Sequence, residues 1–386
     1  MKQFLFSMVL RIASMWFFVL SNLVKAARSI LPVRSRNYVV VLANDGMGDN
    51  LYRMPLFAAL RQKFPPDVWK IVVFCLPSLA SLFRRTPFFD EVRTAKLYSH
   101  KMLFWPFSGY VRWSLLHHAR IWINLVRIRT TGYDFAQMLA APDWSVSYDT
   151  TLLAKHLPKE AEFQRKKNDR RYSMLLSSTI SKNLIEDYKT ILSGLDGVGC
   201  KARLEPTNVS FLVDRCFDPR ISDHRYAVFV PGAAGAHRRW PVERFREVAA
   251  ALLERYSDLS VVIVGTAAES ELGDVIRSIN TDRVINLCGR TDFPQLGRVL
   301  AGAECVLSNE TGTAHYAAAL GVKTICILGG GDYGTYFPMP KRSNVTCVSC
   351  NESCFKCGWF CTKQKTSVLA PCIDAVSVQD VLSAIK

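Results

Sequence analysis

The chain is poor in acidic residues and contains no Asp-x-Asp pair. Its 33 Asp and Glu residues are outnumbered by 49 Lys and Arg, so the formal net charge is +16 at pH 7. The missing pair removes one way of holding a divalent cation on a diphosphate. The positive surplus predicts an anionic partner, such as a membrane surface, a nucleic acid or a phosphorylated substrate. Generic surface basicity is the alternative for the scattered part of the charge.

The sequence also lacks two features that would place it in other classes. It shows no internal repeat with a solenoid period, which argues against a repeat protein. No recognised RNA- or DNA-binding motif accompanies the basic residues, so we do not expect a nucleic-acid partner. With 386 residues and 49% hydrophobic content, the chain is long enough for two globular domains.

An uninterrupted apolar run long enough to cross a bilayer is missing as well. Arg11 divides the apolar N-terminus, and the uncharged stretch 12–24 is shorter than the roughly 20 residues that a spanning helix needs. Four basic residues follow it: Lys25, Arg28, Arg34 and Arg36. We predict that residues 1–36 form a membrane-associated helix, lying in the interface or spanning marginally, and that the basic flank keeps the body of the chain cytoplasmic. A signal peptide is the alternative, but Arg11 interrupts its apolar region.

The cysteines fall into two groups. Six are scattered, several of them in apolar runs, and are interpreted as small buried hydrophobic residues: Cys75, Cys200, Cys216, Cys288, Cys305 and Cys326. The other six lie near the C-terminus: Cys347, Cys350, Cys354, Cys357, Cys361 and Cys372. Their spacing contains two C-x2-C pairs, which in a cytosolic protein favour metal before disulfide. Structural zinc on Cys347, Cys350, Cys354 and Cys357, an iron–sulfur site and plain thiols remain open, in that order.

Strands and helices alternate along the first half as they do in parallel α/β proteins. A strand at 38–42, a helix at 50–64 and a strand at 70–76 form a βαβ unit. Residues 132–139 are predicted to be a further strand, and the charged run 165–171 a surface loop.

The second half restarts this alternation after 206–225, which is predicted to be a linker. Strands are predicted at 226–230, 260–264, 284–287, 304–307 and 323–328, with helices at 242–256, 269–279, 293–301 and 313–320. This pattern predicts a doubly wound sheet whose ligands lie beyond the carboxyl ends of its strands. A terminal amphipathic helix is predicted at 376–385.

Two of these strands run into small-residue turns suited to holding a phosphate. Residues 228–230 lead into a turn with Gly232 and Gly235, and residues 305–307 lead into 308–313. A strand followed by such a turn and a helix presents free backbone N–H groups to a phosphate. The turn after 38–42 has the same architecture but places an acid, Asp49, at a helix start. A half that holds a diphosphate and a half that offers a carboxylate suggest group transfer from a nucleotide-activated donor.

Between 98 and 129 the chain interleaves aromatic and basic residues. Five of them are candidates for contact with an acceptor or a membrane: Lys101, Trp105, Arg112, Trp113 and Arg120. Such a mixture is typical of an interfacial membrane helix. The alternative is that the aromatic side chains belong to the core and the basic ones to a solvated face.

Four blocks of sequence together resemble glycosyltransferase family 9, the ADP-heptose:lipopolysaccharide heptosyltransferases. The first is Gly-Asp-Asn-Leu at 48–51, with Met-Pro at 54–55 and Ala-Leu-Arg at 59–61. The second is Pro-Gly-Ala at 231–233, with Arg-Arg-Trp-Pro at 238–241 and Phe245. The third is Gly265 with Glu269, and the fourth is Ser-Asn-Glu-Thr-Gly-Thr-Ala-His at 308–315 with 317–322. The blocks occur in the family's order and spacing from about Tyr38 to the C-terminus.

The resemblance implies a GT-B architecture, in which two Rossmann-like doubly wound domains face each other across a cleft. The N-terminal membrane-associated helix would precede them in the sequence. We therefore expect an acceptor-side domain at 37–205, a nucleotide-sugar-binding domain at 226–346, and a Cys-rich tail with a terminal helix at 347–386. It also implies an inverting transfer that needs no metal or other cofactor. The missing Asp-x-Asp pair agrees, because metal-dependent glycosyltransferases normally use such a pair. Helix N-termini and basic side chains would then meet the diphosphate charge.

By this resemblance Asp49 is the general base that takes the proton of the acceptor hydroxyl. The alternative is that Asp49 only caps a helix, and Asp45 is expected to matter less. Arg238, with Arg239 assisting and Gly232 beside them, is expected to neutralise the donor diphosphate, since guanidinium forks onto two oxygens. The alternative is two surface arginines.

The remaining predicted donor-site residues are Glu269, Glu310, Thr311, Gly312, Thr313 and His315. The segment 311–313 would bind phosphate through backbone N–H groups, and Thr311 is alternatively a plain helix cap. His315 would lie near the phosphates or be a packed core histidine. Glu269 would bind the ribose or be a helix N-terminal charge. Glu310 stands where the family usually has Asp, which puts its donor-binding role in question.

The leading hypothesis is a transferase at the cytoplasmic face of the inner membrane. It would move a heptose-type sugar from ADP-heptose, or a similar nucleotide sugar, to a lipopolysaccharide core or another anionic lipid-linked saccharide. A GT-B nucleotide-sugar epimerase or hydrolase is the second hypothesis. The third is a non-catalytic membrane-bound adaptor with a degenerate sugar site, for which the substitution at Glu310 is the residue-level indication.

Overall fold

The computed structural model describes residues 15, 19, 22, 23, 26, 37–97, 109–149, 166–178, 183–214, 221, 225–339, 342–350, 352–363 and 368–385. The predicted membrane-associated segment 1–36 lies almost entirely outside the described residues, as do Lys101 and Trp105. Within the described ranges, no helix has both the length and the apolar character needed to cross a bilayer.

The chain separates into two compact units. The first contains residues as far as Asp45, then Pro55–Thr179 and Ile185–Glu205. The second contains Gly46–Met54, Ile180–Leu184 and Pro206–Lys386. These ranges differ from the predicted ones in three places. The segment that carries Asp49, the short segment Ile180–Leu184 and the predicted linker 206–225 all group with the second unit.

The described secondary structure alternates along the chain. The strands are β1 (Asn37–Ala43), β2 (Trp69–Cys75), β3 (Glu91–Thr94), β4 (Ala119–Asn124), β5 (Trp144–Tyr148), β6 (Met174–Leu176), β7 (Arg225–Val230), β8 (Leu259–Ile263), β9 (Val284–Asn286), β10 (Cys305–Asn309), β11 (Thr324–Ile327) and β12 (Val345–Val348). The α-helices are α1 (Met47–Tyr52), α2 (Met54–Lys63), α3 (Ala80–Arg84), α4 (Gly109–Leu116), α5 (Thr131–Ala140), α6 (Leu184–Gly194), α7 (Val242–Arg255), α8 (Ser270–Arg277), α9 (Phe293–Ala301), α10 (Gly312–Leu320), α11 (Pro371–Asp374) and α12 (Val378–Ile385).

The first unit contains a six-stranded parallel sheet in the order β3-β2-β1-β4-β5-β6. Its central strands are continuous apolar runs, and Val39, Val40 and Val41 are fully buried. Successive residues of a strand point to opposite faces of the sheet, so both faces are covered, as expected of a parallel sheet with helices on both sides. The strand order reverses between β1 and β4, and such a reversal creates a crevice at the carboxyl ends of the two strands.

The second unit repeats this topology. Its parallel sheet has the order β12-β11-β10-β7-β8-β9, with the reversal between β7 and β10. Helix α7 packs Phe245, Val248 and Leu252 into the core of this unit. The prediction of two α/β domains with parallel Rossmann-like sheets is confirmed.

Two local predictions in the first half are wrong. Residues 132–139 form most of helix α5 rather than a strand. Because Tyr133, Phe135, Ala136 and Leu139 are all buried, apolar residues occur around the whole helix and the 3.6-residue period is lost. Residues 166–169 of the predicted surface loop form a helical turn, whose Asn168 is buried and donates to Asp134 Oδ2 at 3.0 Å.

Candidate functional site

The loops after β7 and β10 meet at the strand-order reversal of the second sheet. Asn309, the last residue of β10, links the two loops through side-chain hydrogen bonds. Its Nδ2 donates to the carbonyl oxygens of Pro231 at 2.8 Å and Gly232 at 3.3 Å. Its Oδ1 accepts from the backbone N–H of Trp240 at 3.1 Å. The side-chain amide of Asn309, which was not predicted as a site residue, therefore holds the two predicted phosphate turns together.

Helix α10 begins at this junction. Thr311 is its N-cap, with Oγ1 accepting from Ala314 N at 3.4 Å and lying 3.2 Å from Ser308 Oγ. The cap leaves the other N–H groups of the first turn without intrahelical partners, and the helix dipole adds partial positive charge there. Thr311 thus caps the helix, as the alternative holds, while the helix start remains suited to an anion.

The start of helix α1 packs directly on the start of α10. A Cβ atom on Gly48 would lie 3.0 Å from Gly312 Cα and 2.9 Å from His315 Cδ2. A Cβ on Gly312 would lie 3.1 Å from Gly48 N. Only glycine at both positions permits this approach, which places Asp49 beside the α10 N-terminus.

A cavity of about 360 Å³ opens at this contact. We call it the Asp49 pocket, and its lining residues are Gly46, Met47, Gly48, Asp49, Arg238, Glu310, Thr311, Gly312, His315, Asp332 and Tyr336. The structure thereby brings together six of the residues predicted from sequence. It adds Asp332 and Tyr336, which follow the triglycine 329–331 at the end of β11 and were missed. The only sequence signal for them was that glycine run after a buried strand.

Asp49 accepts a hydrogen bond at Oδ1 from the hydroxyl of Tyr336. Among the described residues, no Lys or Arg forms an ion pair with this carboxylate. The Tyr336 ring is packed edge-on against Tyr52 and His315, with ring centroids 5.5 and 5.6 Å apart. Tyr336 therefore fixes one oxygen of Asp49 and leaves the other for a ligand.

Glu310 lies at the floor of the pocket and is 6% exposed. Burial raises the pKa of its carboxyl group to about 8, and the negative charges of Asp332 and Asp49 act in the same direction, against Arg238. In the described part of the chain, Oε2 has no hydrogen-bond partner. At neutral pH the side chain is thus mostly a neutral acid with unused hydrogen-bonding capacity.

His315 is also buried, and its ring stacks on Phe337 with centroids 4.4 Å apart. Burial lowers its pKa to about 4, and Arg342 and Arg238 also favour the neutral form, against Asp49. Its Nδ1 finds no partner within the described ranges. The ring is packed as a core histidine would be, yet the residue lines the pocket and has a free nitrogen.

The two predicted phosphate-binding arginines have different surroundings. The Arg239 Nε donates to the carbonyl oxygen of Ala233 at 2.8 Å, so it braces its own loop. The Arg238 guanidinium lies over the Trp359 ring, 5.5 Å from the centroid. The described residues provide no hydrogen-bond acceptor for it. Arg238 therefore borders the pocket with its donors available.

A second cavity, also about 360 Å³, adjoins these loops in the second unit. We call it the Glu269 pocket; it shares Met47 and Thr311 with the Asp49 pocket. The Glu269 Oε2 accepts from Thr266 N at 2.7 Å and Thr266 Oγ1 at 2.9 Å, which forms a capping box. A Cβ on Gly232 would lie 1.9 Å from Glu269 Oε1, so the glycine admits this carboxylate to the loop.

One wall of the Glu269 pocket is aromatic and was not predicted. Phe293 lines it and stacks on Tyr316 with centroids 4.6 Å apart and an interplanar angle of 4°. Gly265, Thr291 and Leu296 also line this pocket. A flat apolar wall opposite polar loop groups suits a nucleobase and its ribose. Thr313 also lines this pocket.

Three of the five predicted acceptor or membrane residues are described by the structure, namely Arg112, Trp113 and Arg120, and their surroundings differ. Trp113 is 2% exposed and packs against Tyr38 and His117, with centroids 5.5 and 4.9 Å away. It therefore belongs to the core of the first unit, as the alternative proposed. Arg112 is exposed, and Arg120 is paired with Asp143.

The predicted zinc site is not supported. Over the described ranges, which include all six C-terminal cysteines, no group of three or more His, Cys, Asp or Glu side chains is arranged to hold a metal ion. Burial raises the pKa of Cys347 to about 12 and of Cys350 to about 11. These groups are thiols in this structure.

Comparison with known families gives a match over much of the chain. Residues 162–365, more than half of the sequence, match the family model of glycosyltransferase family 9 (heptosyltransferase). Lipopolysaccharide heptosyltransferase 2 of Salmonella typhimurium is 30% identical over 136 residues, which are 34% of this chain and 38% of that protein. Lipopolysaccharide heptosyltransferase 3 of Escherichia coli is 24% identical over 233 residues, 57% of this chain and 66% of that protein. The matched segments thus cover less than two thirds of the length of each of these two relatives.

Solved structures show the same fold over most of the chain. The E. coli ADP-heptose lipopolysaccharide heptosyltransferase II has a TM-score of 0.62 at 16% identity, covering 90% of this chain and 97% of that one. An E. coli heptosyltransferase with ADP has a TM-score of 0.59 at 17% identity, covering 80% and 92%. At such identities the comparison concerns the fold alone.

Proposed function

The chain belongs to glycosyltransferase family 9, and from that premise we propose that it is an inverting heptosyltransferase. Its donor would be ADP-heptose or a similar nucleotide sugar, and its acceptor a hydroxyl group of a lipopolysaccharide core or related surface glycan. One observation carries the proposal: a single pocket of the second unit is lined by a carboxylate, an arginine without a hydrogen-bond acceptor and a helix N-terminus. Those are the groups that a sugar transfer from a diphosphate requires.

Asp49 is the general base in this mechanism. Its Oδ1 is engaged by Tyr336, so Oδ2 takes the proton from the acceptor hydroxyl. The hydroxyl oxygen attacks the anomeric carbon while the bond from that carbon to the diphosphate oxygen breaks. The electron pair leaves with the nucleoside diphosphate. One displacement inverts the configuration, and a single carboxylate suffices.

Arg238 and the start of α10 stabilise the departing diphosphate. Arg238 can fork onto two phosphate oxygens because no acceptor in the described structure occupies its donors. Thr311 and Gly312 line the same pocket, where their backbone N–H groups lie at the positive end of the helix dipole, and Thr313 lines the adjoining Glu269 pocket. These fixed charges oppose the negative charge that grows on the leaving group. The absence of an Asp-x-Asp pair supports a transfer that needs no metal.

Glu310 and His315 are suited to the sugar rather than to the phosphates. A neutral Glu310 can donate and accept hydrogen bonds with sugar hydroxyls without repelling the anionic donor. A neutral His315 offers one ring nitrogen in the same place. The nucleoside would lie in the Glu269 pocket, with Glu269 toward the ribose and Phe293 beside the base.

The acceptor is proposed to be an anionic lipid-linked saccharide at the cytoplasmic face of the inner membrane. The net charge of +16 favours an anionic surface, and the apolar segment with its basic flank in 1–36 is suited to an interface.

Donor binding by the purified full-length protein is the first test. Calorimetric titration with ADP-heptose, other nucleotide sugars and free ADP should show selective binding of the ADP compounds. Arg238→Ala should weaken ADP binding by about ten- to hundredfold, since charge-assisted hydrogen bonds to the phosphates are lost. Arg246→Ala, an exposed arginine on α7, is the matched control and should bind normally. Preference for another nucleotide would reject the donor, and a folded protein that binds none would reject the proposal.

A further inference from the structure

The Cys-rich segment 352–363, which we call the tail segment, is built onto the triglycine loop 329–331. Lys356 N donates to Gly330 O at 2.6 Å, and Gly358 N donates to Gly331 O at 2.9 Å. A Cβ atom on Gly331 would lie 2.2 Å from Trp359 Cδ2, and one on Gly330 would lie 2.5 Å from Phe355 Cδ1. The space that side chains of this loop would occupy is filled by aromatic rings of the tail segment.

Trp359 is held there in an uncommon backbone conformation. Its φ angle is +64°, in the left-handed region that non-glycine residues seldom adopt. Neighbouring Lys356 has a φ of +71°. Such conformations persist where the surrounding structure fixes them, and they are frequent at functional sites. The backbone around Trp359 is therefore shaped to place this side chain.

The Trp359 side chain contacts two residues of the Asp49 pocket at once. The face of its ring lies 5.5 Å from the Arg238 guanidinium carbon. Its indole Nε1 donates to Asp332 Oδ2 at 2.8 Å. The neighbouring His237 packs against the same ring at 5.0 Å. One side chain outside the pocket thus holds a cation and a carboxylate that line it.

We propose that Trp359 is a positioning residue for the diphosphate site, and that the tail segment serves to place it there. The inference rests on the proposed role of Arg238 in binding the donor diphosphate. Without the ring, the long Arg238 side chain would be free to move, and ordering it would cost binding energy. Without the indole N–H, Asp332 would be free to turn toward Arg238 and compete with the phosphates.

The test is calorimetric titration of the full-length protein with ADP. Trp359→Leu removes both contacts and should weaken ADP binding roughly two- to fivefold, the range of an exposed cation–π contact. Trp359→Phe keeps a ring against Arg238 but loses the indole N–H to Asp332, so it should restore only part of the affinity. Phe360→Leu is the matched control, since Phe360 is 59% exposed in the same segment, and it should leave ADP binding unchanged.

A double-mutant cycle separates positioning from general structural support. In an Arg238→Ala background, Trp359→Leu should cause almost no further loss, because its contribution acts through Arg238. An equal loss in both backgrounds, or ADP binding by Trp359→Leu equal to wild type, overturns the proposal. Wild-type protein that binds ADP, with loss in Arg238→Ala, would leave the proposed function standing in either case. Folded wild-type protein that binds no ADP overturns both.

Fluorinated tryptophan provides a second route if Trp359→Leu does not fold, as judged by circular dichroism melting. Fluorination withdraws charge from the ring face and weakens its attraction for a cation with little change in shape. ADP affinity should fall with increasing fluorination in wild-type protein and stay constant in Trp359→Phe, which carries the same label at its other seven tryptophans. A fall of the same size in both proteins overturns the proposal.

Discussion

Each unit of the chain has an arginine against an aromatic ring, with very different surroundings. In the first unit, Arg129 lies 4.8 Å from the Tyr172 ring centroid and its side chain is fully buried. It pairs with Asp134 at 3.0 Å and with Asp169, and it donates to Tyr148 O at 2.8 Å. In the second unit, Arg238 has its ring contact but no hydrogen-bond acceptor among the described residues.

The carboxylates show the same contrast. Asp134 is 1% exposed and accepts from the Tyr172 hydroxyl at 2.7 Å and from Asn168 at 3.0 Å, besides pairing with Arg129. Asp49 accepts from one tyrosine and borders a cavity. The two sheets have the same topology, so fold alone does not distinguish them. A cluster whose buried charges are paired with one another serves stability, whereas one that leaves a charged group unpaired beside a cavity is suited to a ligand.

The largest expected effect concerns Asp49. Asp49→Ala should lower kcat by about 10²- to 10⁴-fold, the usual contribution of a general base, while ADP binding changes little. A sugar-transfer assay with ADP-heptose and a lipid-linked acceptor gives kcat, and calorimetry gives the affinity. Asp45→Ala, four residues earlier, is the matched control and should keep most of the activity. Wild-type turnover in Asp49→Ala would reject the base assignment.

The next largest effect is a difference in unfolding free energy between variants of the two arginines, Arg129 and Arg238. Arg129→Met should cost about 3–5 kcal/mol of unfolding free energy, because it leaves Asp134 and Asp169 without their buried counter-charge. Arg238→Met should change stability by less than about 0.5 kcal/mol, since its guanidinium supports no described hydrogen bond. Urea denaturation of both variants measures the difference. Equal losses would show that the two clusters have the same structural role.

The smallest effect is the pH dependence produced by Glu310. Its folded pKa is raised to about 8 from an ordinary value of 4.5, so the folded state binds more protons than the unfolded state between these values. Stability is therefore lost as pH rises through this window, by about 2 kcal/mol between pH 6.5 and 8. His315 acts with the opposite sign, but only between about pH 4 and 6.5.

Glu310→Gln should remove the loss between pH 6.5 and 8, as measured by urea denaturation at several pH values. Glu271→Gln, an exposed acid on α8, is the control and should follow the wild-type curve. A wild-type curve that is flat over this window would mean that Glu310 is not buried as a neutral acid.

Sequence analysis predicted the second sheet well because its strands are short apolar runs separated by helices of regular period. The family resemblance is confirmed by the family-model match over residues 162–365. Helix α5 was predicted to be a strand because its own residues are buried on all sides, so its apolar residues do not follow a helical period. Asp332, Tyr336 and Trp359 could not be predicted as site residues, since only tertiary folding brings them to Asp49 and Arg238. The cysteine spacing predicted a metal site in the segment that carries Trp359, whereas the described residues there form no group arranged to hold a metal ion.

The grouping of Gly46–Met54 with the second unit has a practical consequence for chimeric enzymes. An engineer who exchanged the two halves of this chain with a relative at residue 205 would separate Asp49 from the residues that surround it. Such a hybrid would combine Gly48 and Asp49 of one parent with Arg238 and Gly312 of the other. A graft that carries residues 46–54 together with the second unit keeps Gly48 and Gly312, and hence the whole Asp49 pocket, from a single parent.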